Sequence, residues 1–307
     1  MEDLKCISLV WLARADLSNL NSGEGSGNLN ELKTYDHGRK PYISGQSTRT
    51  AIFETMARSY PDKFLCTPEL PCTNVRECWG CDIRGFLATE EDVGGQRRWS
   101  PLKVSPGLGQ IPGEIVTDLL TRSSTVEKKE RKSTDMRIAH VQMMNNIYRF
   151  GLVIDMANIG LVRVPRMEGK GKEQHFAGWE EAVHIPAEER AERVRAVLDA
   201  VFNLSGFAKQ ARAAASLSPD VVLMTFQPAY NQRGLKALEL NGRGEVKLDL
   251  LRYALQEHRE LGHEVLFGYT PEVVSNGDQV IALVEAEGVA VWPVHRVFAR
   301  AREMVAG

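Results

Sequence analysis

Four cysteines fall within sixteen residues, at Cys66, Cys72, Cys78 and Cys81. Thiolates suit Zn²⁺, which four of them hold in a closed tetrahedral site. Such a site would organise a proline- and glycine-containing segment, residues 61–95, that shows little helical or strand periodicity of its own. Only Cys78 and Cys81 have the standard two-residue gap, so the alternative is a set of reduced or buried thiols without metal. No HExxH pattern accompanies the cluster, which argues against a catalytic zinc. The expected cofactor is therefore a structural zinc or none.

A second group of residues is suited to anions. Ser44, Gln46 and Arg49 stand in the run Ser44-Gly45-Gln46-Ser47-Thr48-Arg49, just ahead of Ile52, Phe53 and Met56. The apolar residues have helical spacing and Ser44 suits an N-cap, so the polar ones belong to the first turn of a helix that ends near residue 60. Free amides, the dipole and polar side chains together bind phosphate there. The plainer alternative is a capped surface helix. Arg39 and Lys40 lie just upstream, and a glycine-rich loop over residues 19–28, containing Asn21, could bring backbone amides to an anion or serve as a linker. No P-loop or dinucleotide fingerprint follows it, so nucleotide hydrolysis is disfavoured.

The third group is the stretch 122–137, with Arg122, Lys128, Lys129, Arg131, Lys132 and Arg137 against three acidic residues. Such a stretch is either a solvated mobile loop or an extended arm that orders on a phosphate backbone as counterions are released.

The elements that must position these groups follow from hydrophobic patterning. Residues 5–16 form a buried strand, residues 138–160 a long strand carrying Tyr148 and Phe150 on one face, and residues 220–228 another buried strand. Aromatics two apart on a strand either stack bases or fill a core. Helices are expected over residues 186–204 and near 246–260, strand-like pieces around 263–269 and 279–284, and a basic helix at the end. The order of strand, helix, insert, strand, helix, strand resembles the split unit of a ferredoxin-like sheet with long insertions, so the fold class is α+β.

The 307 residues are 43% hydrophobic and 25% charged, enough for a large core. A net charge of −2 excludes a generally basic coat protein and confines any polyanion site to local clusters. The start lacks a signal-peptide pattern and no run has the length of a membrane span, so the expected compartment is the cytoplasm.

The segments Leu20-Asn21-Ser22-Gly23-Glu24-Gly25, Tyr42-Ile43-Ser44-Gly45-Gln46-Ser47-Thr48-Arg49, Cys78-Trp79-Gly80-Cys81-Asp82-Ile83-Arg84-Gly85 and Arg149-Phe150-Gly151-Leu152-Val153-Ile154-Asp155 together resemble the DevR family. That family comprises backbone subunits of CRISPR-associated type I surveillance complexes (Cascade), with subtype I-B the closest expectation.

The resemblance implies an RRM-like (ferredoxin-like) palm from residues 1–60 with 138–307, a cysteine-containing fingers insert over 61–96 and a thumb region over 97–137. It implies copies stacked along a CRISPR guide RNA, gripping phosphates and leaving bases free to pair with a target DNA strand, beside other Cascade subunits. Ser44, Gln46 and Arg49 match the block that contacts guide phosphates. Asn21, Arg39, Lys40 and the basic residues of 122–137 extend that surface, and Met136 is assigned as a wedge at a kinked base.

The family serves in binding, so no catalytic residue is expected. The alternatives are an RNA-cleaving type III-like subunit using an acid such as Asp16, Glu24, Asp36 or Asp135, and a stand-alone regulator, for which no helix-turn-helix is found.

Overall fold

The computed structural model describes residues 4–20, 29–90, 94–128, 131–207 and 214–306. The first strand, β1 (Cys6–Ser18), is apolar on both sides and has almost no solvent exposure through its first eight residues, as befits the middle of a sheet. Short strands β2 (Leu29–Asn30), β3 (Thr34–Tyr35) and β4 (Lys40–Ile43) lead to helix α1 (Gly45–Ser59). Ser44 caps α1 by accepting a 3.2 Å hydrogen bond from the Ser47 amide, and Ile52, Phe53 and Met56 are buried, as their spacing requires.

After α1 come the hairpin β5 (Phe86–Glu90) and β6 (Gly94–Arg98), then β7 (Leu102–Val104) and β8 (Gly107–Gly109). β9 (Val116–Lys128) and the 25-residue β10 (Arg131–Asp155) follow, then the hairpin β11 (Leu161–Glu168) and β12 (His175–His184). The chain finishes with α2 (Ala187–Phe202), β13 (Val221–Gln227), α3 (Leu248–Glu260), β14 (Glu264–Tyr269), α4 (Gly277–Ala286), β15 (Val291–Trp292) and α5 (Val294–Ala306).

Among the described residues, eleven strands join one sheet, in the order β15-β14-β13-β1-β10-β8-β4-β3, with β2, β7 and β9 also paired to β10. β1 lies antiparallel between β10 and β13, with Trp11 opposite Phe150 on one side and Val222 on the other. Alternation then sorts the core onto two faces. Ile7, Leu9, Trp11, Tyr148, Phe150, Val222 and Met224 pack beneath α1, α2 and α5. Val10, Leu12, Ile147, Val221 and Leu223 pack beneath α3, α4 and the segment around residues 237–246. The mixed α+β class read from the sequence is the observed one.

β10 belongs to two structures at once. Met144 to Asp155 pair with β1 inside the sheet, and Arg131 to Met143 pair with β9 as a ribbon. Residues 122–128 and 131–137 are therefore strand-paired, which is extended as the arm reading has it and is not the irregular loop of the other reading. Thr121, Thr125, Val126 and Thr134 are the reason, since β-branched residues favour extended backbone. Residues 279–284, read as strand-like, lie inside α4. Val280, Leu283 and Val284 are buried at i, i+3 and i+4, a helical face that their β-branched content disguised.

No helix among the described residues is long and apolar enough to cross a membrane.

Candidate functional site

The polar first turn of α1 stands where strands end. Its close approach to β7 is made by Gly45, where a Cβ would come within 3.2 Å of the Val104 carbonyl. Ser47 Oγ donates to the Leu20 carbonyl at 3.4 Å, which ties the end of β1 to this turn. Asn21 itself lies outside the described residues. Gln46 is exposed, and Ser44 is half-buried with its hydroxyl oxygen engaged in the cap.

Arg49 turns inward from the same helix. One of its Nη atoms donates to the Arg84 carbonyl, and its Nε is buried without a hydrogen-bond partner among the described residues. The guanidinium lies 5.8 Å from the centroid of the Phe53 ring, and that of Arg84 lies 5.7 Å from the same centroid. Burial first, and the Arg84 cation second, lower the pKa of Arg49. Two like charges on one ring are costly unless an anion joins them.

A cavity of about 610 Å³ opens beside this pair, between α1, the β5–β6 hairpin and β7. Its charged lining is Arg49, Arg84, Arg97, Arg98 and Lys103, and the named lining residues include no carboxylate. Of the five cations only Arg98 forms an ion pair among the described residues, with Asp82. The cavity is therefore a concentrated positive region on a chain of net charge −2. Its residues come from three separate stretches of chain, which is why Arg84, Arg97 and Lys103 were not legible as a group in the sequence. The one local signal was the Arg84-Gly85 end of the cysteine segment.

Arg39 and Lys40 are placed differently. Both pair with Asp36, at 3.2 and 3.4 Å, across a turn in which Asp36, His37 and Gly38 all have positive φ. The hydrogen bond from Arg39 leads in holding the Asp36 carboxyl below its usual range. These two cations are thus partly neutralised, and Asp36 is committed to an ion pair.

In the ribbon, Arg122 stands opposite Arg137 and Lys128 opposite Arg131, register positions of one face. Lys132 stands opposite Glu127, and Met136 opposite Ser123, on the other. By alternation Arg122, Lys128, Arg131 and Arg137 share one face of the ribbon with Asp135. Lys129 lies outside the described residues.

Tyr148 and Phe150 form no open platform. Both are buried against the helices, and Phe150 stacks on Trp11 with ring centroids 5.0 Å apart. The core alternative holds for this pair.

The four cysteines of the insert converge. All four Sγ atoms lie within 4.8 Å of one another, with Cys66 at 3.7 Å from Cys78 and 3.5 Å from Cys81, and Cys72 at 3.6 Å from Cys81. None is in a disulfide. Four thiolates at Zn–S distances of about 2.3 Å around a tetrahedral ion stand roughly 3.8 Å apart, so the separations fit such an ion. Burial leads in raising the thiol pKa of Cys81 and of Cys66, while hydrogen bonds from the Cys81 and Leu65 amides and from neighbouring thiols outweigh burial and lower that of Cys78. The insert itself is more ordered than its composition suggested: a 3₁₀ turn at Pro61–Lys63, a π-helical turn at Gly80–Arg84 and the β5–β6 hairpin.

A family model described as "CRISPR-associated negative auto-regulator DevR/Csa2" matches residues 61–231, more than half of the chain. The match spans the cysteine insert, the cationic cavity's β5–β7 wall and the ribbon, and begins after the Tyr42 to Arg49 block. Among solved structures, a chain of a "CRISPR RNA-guided surveillance complex, pre-nicking" is similar at a TM-score of 0.62 and 10% identity, over 98% of this chain and 99% of that one. A chain of a "CRISPR RNA-guided surveillance complex" gives 0.58 and 13%, over 97% and 99%. No curated protein matches in sequence.

Proposed function

The chain belongs to the CRISPR-associated DevR/Csa2 family, and we propose that it is a guide-RNA-binding backbone subunit of a type I surveillance complex. In this reading several copies line one CRISPR RNA, hold it by phosphate and ribose, and leave its bases free to pair with a target DNA strand. Other Cascade subunits complete the particle. Guides differ in sequence, so a gripper of this kind needs charge and backbone contacts and no base-edge code.

The observation that carries the proposal is the cationic cavity at the first turns of α1, where Arg49 and Arg84 share one ring and neither has a carboxylate partner among the described residues. Ser44 and Gln46 flank it. The ribbon positions Arg122, Lys128, Arg131, Lys132 and Arg137 would offer a second set of phosphate contacts, with Met136 as the wedge; Lys129, proposed as a further contact, lies outside the described residues. Arg39 and Lys40 would exchange Asp36 for phosphate as RNA arrives, and Asn21 is proposed as a further contact to the guide.

Residues 1–60 with 138–307 would be the palm. The spatial order β13-β1-β10-β8, with α1 and α2 against one face, supports an RRM-like reading of it, since that is the strand order of a split βαβ pair. The second face, which an RRM uses for base stacking, lies under α3 and α4, so RNA would run along the edge near α1. Residues 61–96 would be fingers and 97–137 the thumb. A zinc ion held by Cys66, Cys72, Cys78 and Cys81 would supply a structural crosslink to the fingers and no chemistry on RNA.

The role is one of binding rather than catalysis. Co-expression with a guide RNA and companion subunits tests it: the protein should emerge as an RNA-bound oligomer, and an RNA-free monomer under those conditions would overturn the reading. Guide-complementary labelled RNA incubated with the particle and a divalent metal should stay intact.

A further inference from the structure

We propose that the four-cysteine cluster doubles as an oxidation site, which a hydroperoxide converts to two disulfides, Cys66–Cys78 and Cys72–Cys81, that hold the insert in place of a zinc ion. The chemistry involves no RNA, so it stands or falls apart from the guide-RNA reading.

The pairing follows from distance. All four Sγ atoms lie within 4.8 Å of one another, and all four thiols are free. A disulfide brings its sulfurs to about 2.05 Å, so thiols already in contact need the least movement to form one. Cys66 touches Cys78 at 3.7 Å and Cys72 touches Cys81 at 3.6 Å, contacts that use each thiol once. Cys66 also lies 3.5 Å from Cys81. Joining those two would take from Cys72 and Cys78 the thiols that each touches, and would leave half the cluster reduced.

Exposure divides the cluster in the way that stepwise oxidation needs. Cys72 is exposed and Cys66 half-buried, whereas Cys78 and Cys81 are buried. A small hydroperoxide therefore meets Cys72 first. The Cys72 sulfur attacks one peroxide oxygen, the O–O bond breaks, and a sulfenic acid forms with release of water, which takes up the thiol proton. The Cys81 sulfur then attacks the Cys72 sulfur, forming the S–S bond and expelling a second water. Cys66 and Cys78 repeat both steps. In sum, four thiols and two molecules of hydrogen peroxide give two disulfides and four waters, each sulfur giving up one electron and each peroxide accepting two. A disulfide sulfur is no longer the thiolate that zinc binds, so oxidation and metal binding exclude one another.

Both bonds join the same two pieces of chain. Cys81 lies in the π-helical turn Gly80–Arg84, with Cys78 just ahead of it, and Asp82 of that turn is paired with Arg193 on α2. Cys66 and Cys72 belong to the run before it, which has no helix or strand of its own. The disulfides tie that run to the anchored turn twice, closing loops of 12 and 9 sequence steps. Crosslinks of this kind stabilise by restricting the unfolded chain. The fifth cysteine is the internal contrast: Cys6 is buried, its thiol donates to the Asn231 carbonyl at 3.6 Å, and it touches no other sulfur among the described residues.

The test treats the purified full-length protein with hydrogen peroxide, or keeps it in a thiol reductant, then alkylates it and maps the peptides by mass spectrometry without reduction. Cys66–Cys78 and Cys72–Cys81 bonds should appear together in the oxidised protein, with Cys6 still a free thiol, and dithiothreitol should return all five thiols. Added zinc should bind the reduced protein and not the oxidised one. In thermal unfolding the oxidised, metal-free protein should melt several degrees above the reduced protein held in chelator. Cys72→Ser should limit oxidation to a single disulfide. Disulfides between chains, a Cys66–Cys81 or Cys78–Cys81 bond as the main product, or a sulfinic acid at Cys72 in place of a bond would overturn the proposal. So would zinc binding by the oxidised protein or its absence from the reduced one, and so would an oxidised protein that melts no higher than the reduced, chelated form.

Discussion

The Asp82 carboxylate and the Arg193 guanidinium form an ion pair with almost no contact with solvent, linking the turn that follows Cys81 to the middle of α2. Asp82 also accepts from Arg98 and, at 2.9 and 3.0 Å, from the Gly160 amide. Arg193 in turn reaches the Val75 carbonyl at 3.0 Å and the Arg76 carbonyl. One carboxylate therefore fastens the cysteine insert, the end of β6 and the turn after β10 to a single point on α2.

Removing that carboxylate should be costly. Asp82→Ala leaves two guanidiniums buried with no counter-charge, and breaking a buried pair on one side typically destabilises by about 3–5 kcal/mol. Chemical unfolding should report a loss of that order, with the largest change in hydrogen exchange across residues 75–84. An unfolding midpoint equal to that of the wild type would contradict the role given to Asp82.

The cysteine cluster lies beside this anchor, and Arg84 is three residues beyond Cys81. Metal analysis should give one zinc per chain for the wild type and none for Cys78→Ser/Cys81→Ser. The variant should unfold at lower temperature and bind RNA more weakly, because the turn that carries Arg84 loses its crosslink. Chelation of the wild type should reproduce both effects; a metal-free wild type with unchanged stability would instead leave the thiols as plain packing.

Gly85 ends the same turn with φ +74°, and a Cβ there would stand 2.4 Å from the Arg98 carbonyl. Gly85→Ala should cost on the order of 1–3 kcal/mol from backbone strain alone. Because the clash displaces the residues on either side of the cavity, RNA affinity should fall as well. Wild-type stability in thermal unfolding would show that the turn can relax.

His258 offers a prediction independent of RNA. It is buried on α3, 2.8 Å from the His263 ring between their Nδ1 atoms, and its Nε2 has no hydrogen-bond partner among the described residues. Burial leads, with the His263 and Arg233 charges adding and Glu257 opposing, in lowering its pKa from the usual 6.5 to about 4. Between those values the unfolded chain binds the proton that the folded chain refuses, so folding stability should fall as pH drops from about 6.5 to about 4. His258→Gln should flatten that part of the stability–pH curve. An unchanged slope would assign the acid sensitivity to other groups.

How much of this could be read from the chain depends on whether the signal is local. Ser44 and the face made by Ile52, Phe53 and Met56 declared α1 because a cap and a helical spacing sit within one segment. α2 and β13 were legible for the same reason. The hairpin of β11 and β12 gave no comparable signal: Pro165 interrupts the first strand, and two register shifts break the alternation that would have marked the pair. The strand pairing of residues 122–128 with 131–137 was hidden because charge dominates the composition while Thr and Val set the backbone. In the candidate site, Arg49 was visible beside Ser44 and Gln46. Arg84, Arg97 and Lys103 reach it only through the turn after Cys81 and the anchoring of Arg98, which are tertiary facts.

The grip proposed for the first turn of α1 has a salt signature. Arg49 is a cation without an ion-pair partner among the described residues, and Gln46 is exposed beside it, so their joint replacement by Ala removes one charge and one neutral contact. For single-stranded RNA each phosphate neutralised contributes about −0.7 to the slope of log K against log salt. Gln46→Ala/Arg49→Ala should therefore weaken guide binding to a similar degree for unrelated sequences and make the slope shallower by roughly 0.7. Gln46→Ala alone should weaken binding with the slope unchanged, since no counterion is released at a neutral amide. A loss confined to one guide sequence would mean that the turn reads bases; an unchanged slope in the double variant would mean that Arg49 holds the protein's own Arg84 carbonyl and no phosphate.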